Sequence, residues 1–150
     1  MRKKEETDLK LSRYLNRAMA RSFYDTRSMP PFFPYTYVGL YQNKGGVGAA
    51  KLCDVKEPAS NGYKRIKLSH EKWKVLKHGG LFYSVPVRFT VSGSSWGYVR
   101  GYFVCTVPRA KKSGHLLLSE HFQQPGHNRG FWLRRVGDQL VIHLKITTEG

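Results

Sequence analysis

The residues able to do chemistry in this chain are few, and their spacing limits what they can do. The six histidines (His70, His78, His115, His121, His127 and His143) include no HxH or HxxxH pair. Transition-metal sites usually draw ligands from such close pairs, so no metal site is expected. Cys53 and Cys105 each sit in apolar company, Leu52 and Val55 for the first, Val104 and Val107 for the second. They read as two reduced core thiols rather than a disulfide or a zinc pair. Carboxylates number ten, four of them in the first 25 residues. The rest are Asp54, Glu57, Glu71, Glu120, Asp138 and Glu149. No two of these lie close together on one strand face, so a glycosidase-type pair would have to assemble from separate elements. Ser-His-Asp chemistry lacks a nucleophile elbow. The expectation is a non-enzymatic protein with no catalytic residue and no cofactor.

One loop tests that expectation. Asn43-Lys44-Gly45-Gly46-Val47-Gly48-Ala49-Ala50 follows a predicted strand. Its glycines and Lys44 resemble the deviant phosphate-binding loop of the ParA and MinD ATPases, KGGVGK[ST]. That loop needs a lysine for the β/γ-phosphates and a hydroxyl for Mg²⁺. Ala49 and Ala50 occupy those two positions. A polar stretch with glycine and proline follows, not a helix whose N-terminus could meet a phosphate. The segment is expected to be a mobile surface loop.

Binding is the remaining class of function. The net charge is +16, and Lys/Arg are spread evenly: eight in residues 1–27, nine in 28–79 and nine in 80–150. Such a charge attracts polyanions, whether nucleic acid, anionic membrane or acidic protein. The even spread fits a protein seated on an acidic partner. Two stretches concentrate cations. Arg13, Arg17 and Arg21 recur every fourth residue along one side of a predicted helix, a stripe suited to docking or simply to solvation. Tyr98, Arg100 and Tyr102 alternate on one face of a predicted strand, with Arg88 nearby. Tyrosine and arginine on a sheet hold single-stranded nucleic acid in some folds and form protein interfaces in others.

The elements that would position these residues read as mainly β. Leu9 to Tyr24 has helical period, with Leu11, Leu15, Ala18, Met19, Ser22 and Phe23 on one face. Pro30, Pro31 and Pro34 end it and make a stiff connector. Tyr35–Tyr41 is the first strand, with Tyr35, Tyr37, Gly39 and Tyr41 on one face and Thr36, Val38 and Leu40 on the other. Tyr63–Ser69 follows, with Ile66 and Leu68 inward and Arg65 and Lys67 outward. Then come Glu71–Leu76 and a central pair, Val85–Ser92 and Trp96–Val107, read as adjacent antiparallel strands joined by Ser92-Gly93-Ser94-Ser95. In that pair Val85, Val87, Phe89 and Val91 share a face. His115–Phe122 has Leu116, Leu118 and Phe122 aligned at period two. Phe131–Arg135 is a short edge strand. Gln139–Thr147 closes the chain, with Leu140, Ile142, Leu144 and Ile146 inward. The predicted architecture is an antiparallel, jelly-roll-like β-sandwich over residues 35–150, preceded by a docking arm over residues 1–34 that holds one amphipathic helix. No apolar run is long enough to span a bilayer, and no signal peptide or membrane association is expected.

The order of landmarks is similar to that of a family of small structural proteins of tailed-bacteriophage virions, often labelled tail or tail-fibre proteins. The landmarks are Ser12-Arg13-Tyr14-Leu15-Asn16, Tyr37-Val38-Gly39-Leu40-Tyr41, Gly62-Tyr63-Lys64-Arg65, Trp96-Gly97-Tyr98-Val99 and Gly137-Asp138-Gln139-Leu140. They cover nearly the whole chain. The chain departs from the family in its basic charge and in having Phe103-Val104 where the family has Phe-Asp. The resemblance implies a virion module at the head–tail junction, collar, tail or fibre base, present as an oligomer or multi-copy ring. Its partners would be portal, connector, tail or fibre subunits, and no catalytic residue carries over. The alternative expectation is a single-stranded nucleic-acid-binding β-domain that uses the Tyr98/Arg100/Tyr102 face.

Overall fold

The computed structural model describes residues 10–11, 36–47, 51–75, 80–110, 113–122 and 130–146. Within them the protein is mainly β, and every strand pairing is antiparallel. The largest sheet has the order β1-β9-β8-β2-β3, from Lys10–Leu11 (β1), Leu116–His121 (β9), Gly101–Cys105 (β8), Thr36–Tyr41 (β2) and Ile66–Leu68 (β3). Three smaller ladders complete the body. Trp73–Val75 (β4), Leu81–Tyr83 (β5) and Lys145–Ile146 (β12) form one. Val87–Thr90 (β6) with Gln139–Ile142 (β11), and Gly97–Val99 (β7) with Phe131–Leu133 (β10), form the others.

Alternation places the core. On β2, Val38 and Leu40 enter the main apolar cluster, while Tyr41 and Tyr37 join a second cluster on the other side. β6 buries Val87 and Phe89 and exposes Arg88 and Thr90. Leu140, Ile142 and Leu144 are buried, while Val141, His143 and Lys145 face out. The main cluster draws on all four ladders: Leu118 and Tyr102 from the large sheet, Leu81, Phe89 and Leu133 from the others. The second cluster (Val47, Phe103, Cys105 and Leu116, with Leu52 and Val55 against it) lies where the segment after β2 covers the large sheet. β8 is therefore buried along all five residues, as a strand covered on both faces must be.

Several expectations change. Lys10 and Leu11, at the start of the predicted helix, are extended and pair with Ser119 and Leu118; the rest of that helix lies outside the described residues. The predicted central pair is not a hairpin. β6 pairs with β11, and β7 with β10, so each strand takes one arm of the β10–β11 turn. Val91 N–H donates to Asp138 O and Trp96 N–H to Leu133 O, which ties the two ends of the Ser92–Ser95 turn to the segment between β10 and β11. Val85 is exposed, outside the line of Val87 and Phe89, because the chain bends at Ser84–Pro86 between β5 and β6. Leu116, Leu117 and Leu118 are all buried because a register shift opposite Val104–Cys105 interrupts period two.

The two thiols part company. Cys105 is fully buried, whereas Cys53 is exposed on a single 3-10 turn at Leu52–Asp54, so the expected core thiol there is a surface one. Burial also pushes the Cys105 thiol up from its ordinary pKa. In the native protein iodoacetamide is expected to modify Cys53 alone, with Cys105 reacting only after denaturation. Peptide mapping before and after urea checks this; equal labelling in the native state would refute the buried setting of Cys105.

Candidate protein-docking surface

The β7–β10 ladder builds the most chemically distinctive surface among the described residues. Its register sets Tyr98 opposite Trp132. Leu133 and Val99 are buried, so their neighbours Trp132, Arg134, Tyr98 and Arg100 face outward. Arg100 is two residues beyond Tyr98 on one strand, and Arg134 two beyond Trp132 on the other. Because the strands are antiparallel, the two arginines fall at opposite ends. The result is a column. The Arg100 guanidinium lies 4.8 Å from the Tyr98 ring centre. Tyr98 and Trp132 are 5.1 Å apart at an interplanar angle of 56°. The Arg134 guanidinium lies 4.2 Å from the Trp132 ring. Trp132 is 56% exposed, the only aromatic among the exposed large hydrophobics of the described residues. Among the described residues no carboxylate forms an ion pair with Arg100 or Arg134.

Of the sequence-derived site residues, Tyr98 and Arg100 come together here and Tyr102 does not. Tyr102 is buried in the main core and donates a hydrogen bond from its hydroxyl to Glu120 at 2.5 Å. The reason is a break in alternation. Val99 and Tyr102 both enter the main cluster although three residues apart, so Arg100 takes up an extra step between β7 and β8. Arg100 N–H donates to Tyr41 O, and Arg100 O accepts from Phe122 N–H, anchoring that step. Arg13, Arg17 and Arg21 lie outside the described residues. Trp132 and Arg134 were missed as site residues. Phe131-Trp132-Leu133-Arg134 does alternate, but nothing local reveals which strand it pairs with.

The chain's other reactive-looking groups have structural employment. Arg65, expected outward, is inward with a side chain 2% exposed. Its guanidinium donates to both oxygens of Glu57 (2.7 and 3.0 Å) and to Val107 O (3.0 Å), and it lies over the Phe103 ring. Tyr63 donates to the same Glu57 at 2.5 Å and accepts from Leu40 N–H at 2.9 Å. Asp138 accepts from Arg134 and Arg135 N–H, and those two backbone bonds hold its carboxyl below the usual range. His121 meets the Tyr41 hydroxyl at 2.5 Å. No three His, Cys, Asp or Glu side chains gather as a metal site among the described residues. The described part of the loop after β2 is tied back: Gln42 N–H donates to Lys56 O, Lys56 N–H to the Asn43 side chain, and that side chain to Asp54 O. Val47 is buried, and residues 48–50 of the loop lie outside the described residues. No helix of the described residues is long and apolar enough to cross a membrane.

Neither a family model, nor a curated protein, nor a solved structure matches this chain.

Two phenols bonded to carboxylates make the fold sensitive to alkaline pH. Burial, then the carboxylate of Glu57, raises Tyr63 well above the ordinary tyrosine value; burial, then Glu120, does the same to Tyr102. A phenol with a raised folded pKa gives up its proton first in the unfolded chain, so alkali favours unfolding. Their contribution is intact below about pH 10, the unfolded tyrosine value, and is lost as pH climbs toward the folded pKa values. Phenolate absorbance should show a late step that coincides with loss of β-sheet circular dichroism. A single titration complete before any loss of structure would contradict these placements.

Proposed function

We propose that the chain is a non-enzymatic structural adaptor of a tailed-phage virion, at the head–tail junction, collar, tail or fibre attachment, held in multiple copies by neighbouring subunits. The observation that carries the reading is where the landmark motifs meet. Gly39 of the Tyr-Val-Gly-Leu-Tyr strand leaves no room for a side chain, since a Cβ there would sit 2.6 Å from the Phe103 ring and 2.7 Å from the Tyr63 hydroxyl. Tyr63 of Gly-Tyr-Lys-Arg bonds Leu40 and packs its ring against Trp96 of the Trp-Gly pair at 5.3 Å. Phe89 stacks on Tyr63 and stands opposite Leu140 of Gly-Asp-Gln-Leu. Gly62 approaches the Ser92 carbonyl so closely that a Cβ would lie 1.9 Å from it. Four separated landmarks thus serve one core, which supports reading them as one set. The fifth, Ser12–Asn16, lies outside the described residues.

The finer architecture we infer is a two-layer sandwich. The large sheet forms one layer and the β4–β5–β12 and β6–β11 ladders the other, with an N-terminal helix as a docking arm outside it. The mechanism is passive: the β body supplies rigidity, and basic surfaces set orientation on acidic neighbours. Mass spectrometry of purified particles, with co-purification of the full chain against portal, tail and fibre proteins, tests it. The chain should be particle-associated at a fixed stoichiometry; absence from particles would end the proposal.

The second reading, single-stranded nucleic-acid binding, draws on the Tyr98–Arg100 stack and the +16 charge. An electrophoretic shift titrated with salt separates the two. Affinity that persists at moderate salt would favour it.

A further inference from the structure

We propose that the Arg100–Tyr98–Trp132–Arg134 column is a docking site for an extended acidic segment of a neighbouring protein, with carboxylates four residues apart. This rests on the adaptor reading and names a surface and partner chemistry for it. Three features select the occupant. The first is the pair of guanidiniums. One lies over Tyr98 and one over Trp132, and the two rings lean on each other at 56°. A guanidinium edge is a planar fork matched to carboxylate. The second is charge. Two cations flank the rings with no ion-paired acid among the described residues, in a chain of net charge +16. The third is spacing. The two arginines flank the Tyr98–Trp132 pair from opposite ends of an antiparallel ladder, and successive separations of 4.8, 5.1 and 4.2 Å cap the distance between their guanidiniums. An extended strand rises ~3.3 Å per residue and turns alternate residues to one side, so positions i and i+4 span about 13 Å, with i+2 between them. Carboxylates at i and i+4 reach the two arginines, and an apolar residue at i+2 covers the exposed edge of Trp132. Trp, Tyr and Arg are also the residues that dominate interface energetics.

The test uses the full-length protein and a fluorescein-labelled peptide with a Glu-Thr-Ile-Thr-Glu centre. Its Gln-Thr-Ile-Thr-Gln counterpart and a labelled twelve-nucleotide oligo-dT are compared in parallel. Fluorescence anisotropy is read at moderate salt for wild type, Arg100→Gln/Arg134→Gln, Trp132→Ala and, as a control off the column, Arg109→Gln. Arg109 and Trp132 are exposed, so the fold should survive both changes, and circular dichroism verifies this. The acidic peptide should bind wild type and Arg109→Gln alike. It should lose about tenfold or more in affinity on the double arginine change, as two charge-assisted pairs require, and severalfold on Trp132→Ala. The glutamine peptide should bind no better than the double variant does. The proposal is overturned if the acidic peptide does not bind, if it binds the column variants as tightly as wild type, or if the glutamine peptide equals it. It is also overturned if the oligonucleotide, rather than the peptide, is the ligand whose affinity falls with these changes. The first three outcomes would leave the adaptor reading standing, since that reading is decided by particle association; the last would favour the nucleic-acid reading.

Discussion

Replacing Arg65 with leucine is expected to destabilise the protein by about 3–5 kcal/mol, the cost of leaving one member of a buried ion pair alone. The Arg65 and Glu57 side chains are 2% and 12% exposed, joined at 2.7 Å. Arg65 also holds Val107 O and lies 5.2 Å from the Phe103 ring centre. Glu57 serves Tyr63 as well, so the carboxylate fixes two strand-side groups at once. Glu57→Leu should cost a similar amount. The double change to leucine should cost well under the sum of the two, because it removes both charges and leaves neither stranded. Urea unfolding of the three variants measures this. A loss below about 1 kcal/mol for Arg65→Leu would be the behaviour of a surface pair and would remove the pair from the fold's determinants.

Trp96→Ala is expected to cost about 3–5 kcal/mol, the range for emptying a large aromatic site. Trp96 is 4% exposed and meets Tyr63 and Phe89 edge-on at 5.3 and 6.3 Å. It sits where the landmark segments converge, so the cavity would open against Tyr63 and Phe89, which come from separate segments. Trp96→Phe should be far milder, under about 1.5 kcal/mol. The indole N–H of Trp96 has no hydrogen-bond partner among the described residues. Removing it returns part of what the lost ring area forfeits. Thermal and urea unfolding of both variants gives the comparison. Equal losses for alanine and phenylalanine would mean that the indole nitrogen is used, contrary to its setting here.

Much of the β character was readable because alternation is local. Val87/Phe89 against Arg88/Thr90, and Leu140/Ile142/Leu144 against Val141/His143/Lys145, need only period two to sort inside from outside. Pairing is not local. The Ser92–Ser95 turn looks like a hairpin turn, yet β6 and β7 each found an arm of the β10–β11 turn some 40 residues on. A strand that bends mid-course also defeats alternation. One extra step at Arg100 turned Tyr102 into the core while leaving Tyr98 outside, and the shift opposite Val104–Cys105 buried three leucines in a row. Arg65 fooled the pattern for another reason: a cation is sent outward by rule unless a carboxylate waits inside, and Glu57 sits on the preceding loop. The docking surface was half legible for the same cause. Tyr98 and Arg100 announced themselves on one strand; Trp132 and Arg134 complete it from a strand whose partner only the fold reveals.

The measurement that bears most directly on the proposed adaptor role is a reconstruction of the assembled particle at side-chain resolution. The account predicts density for this β body at a fixed, symmetry-repeated position, with acidic residues of a neighbour over Arg100, Trp132 and Arg134. A particle complete without the chain would contradict it, as would finding the chain only in the infected cell, bound to single-stranded nucleic acid.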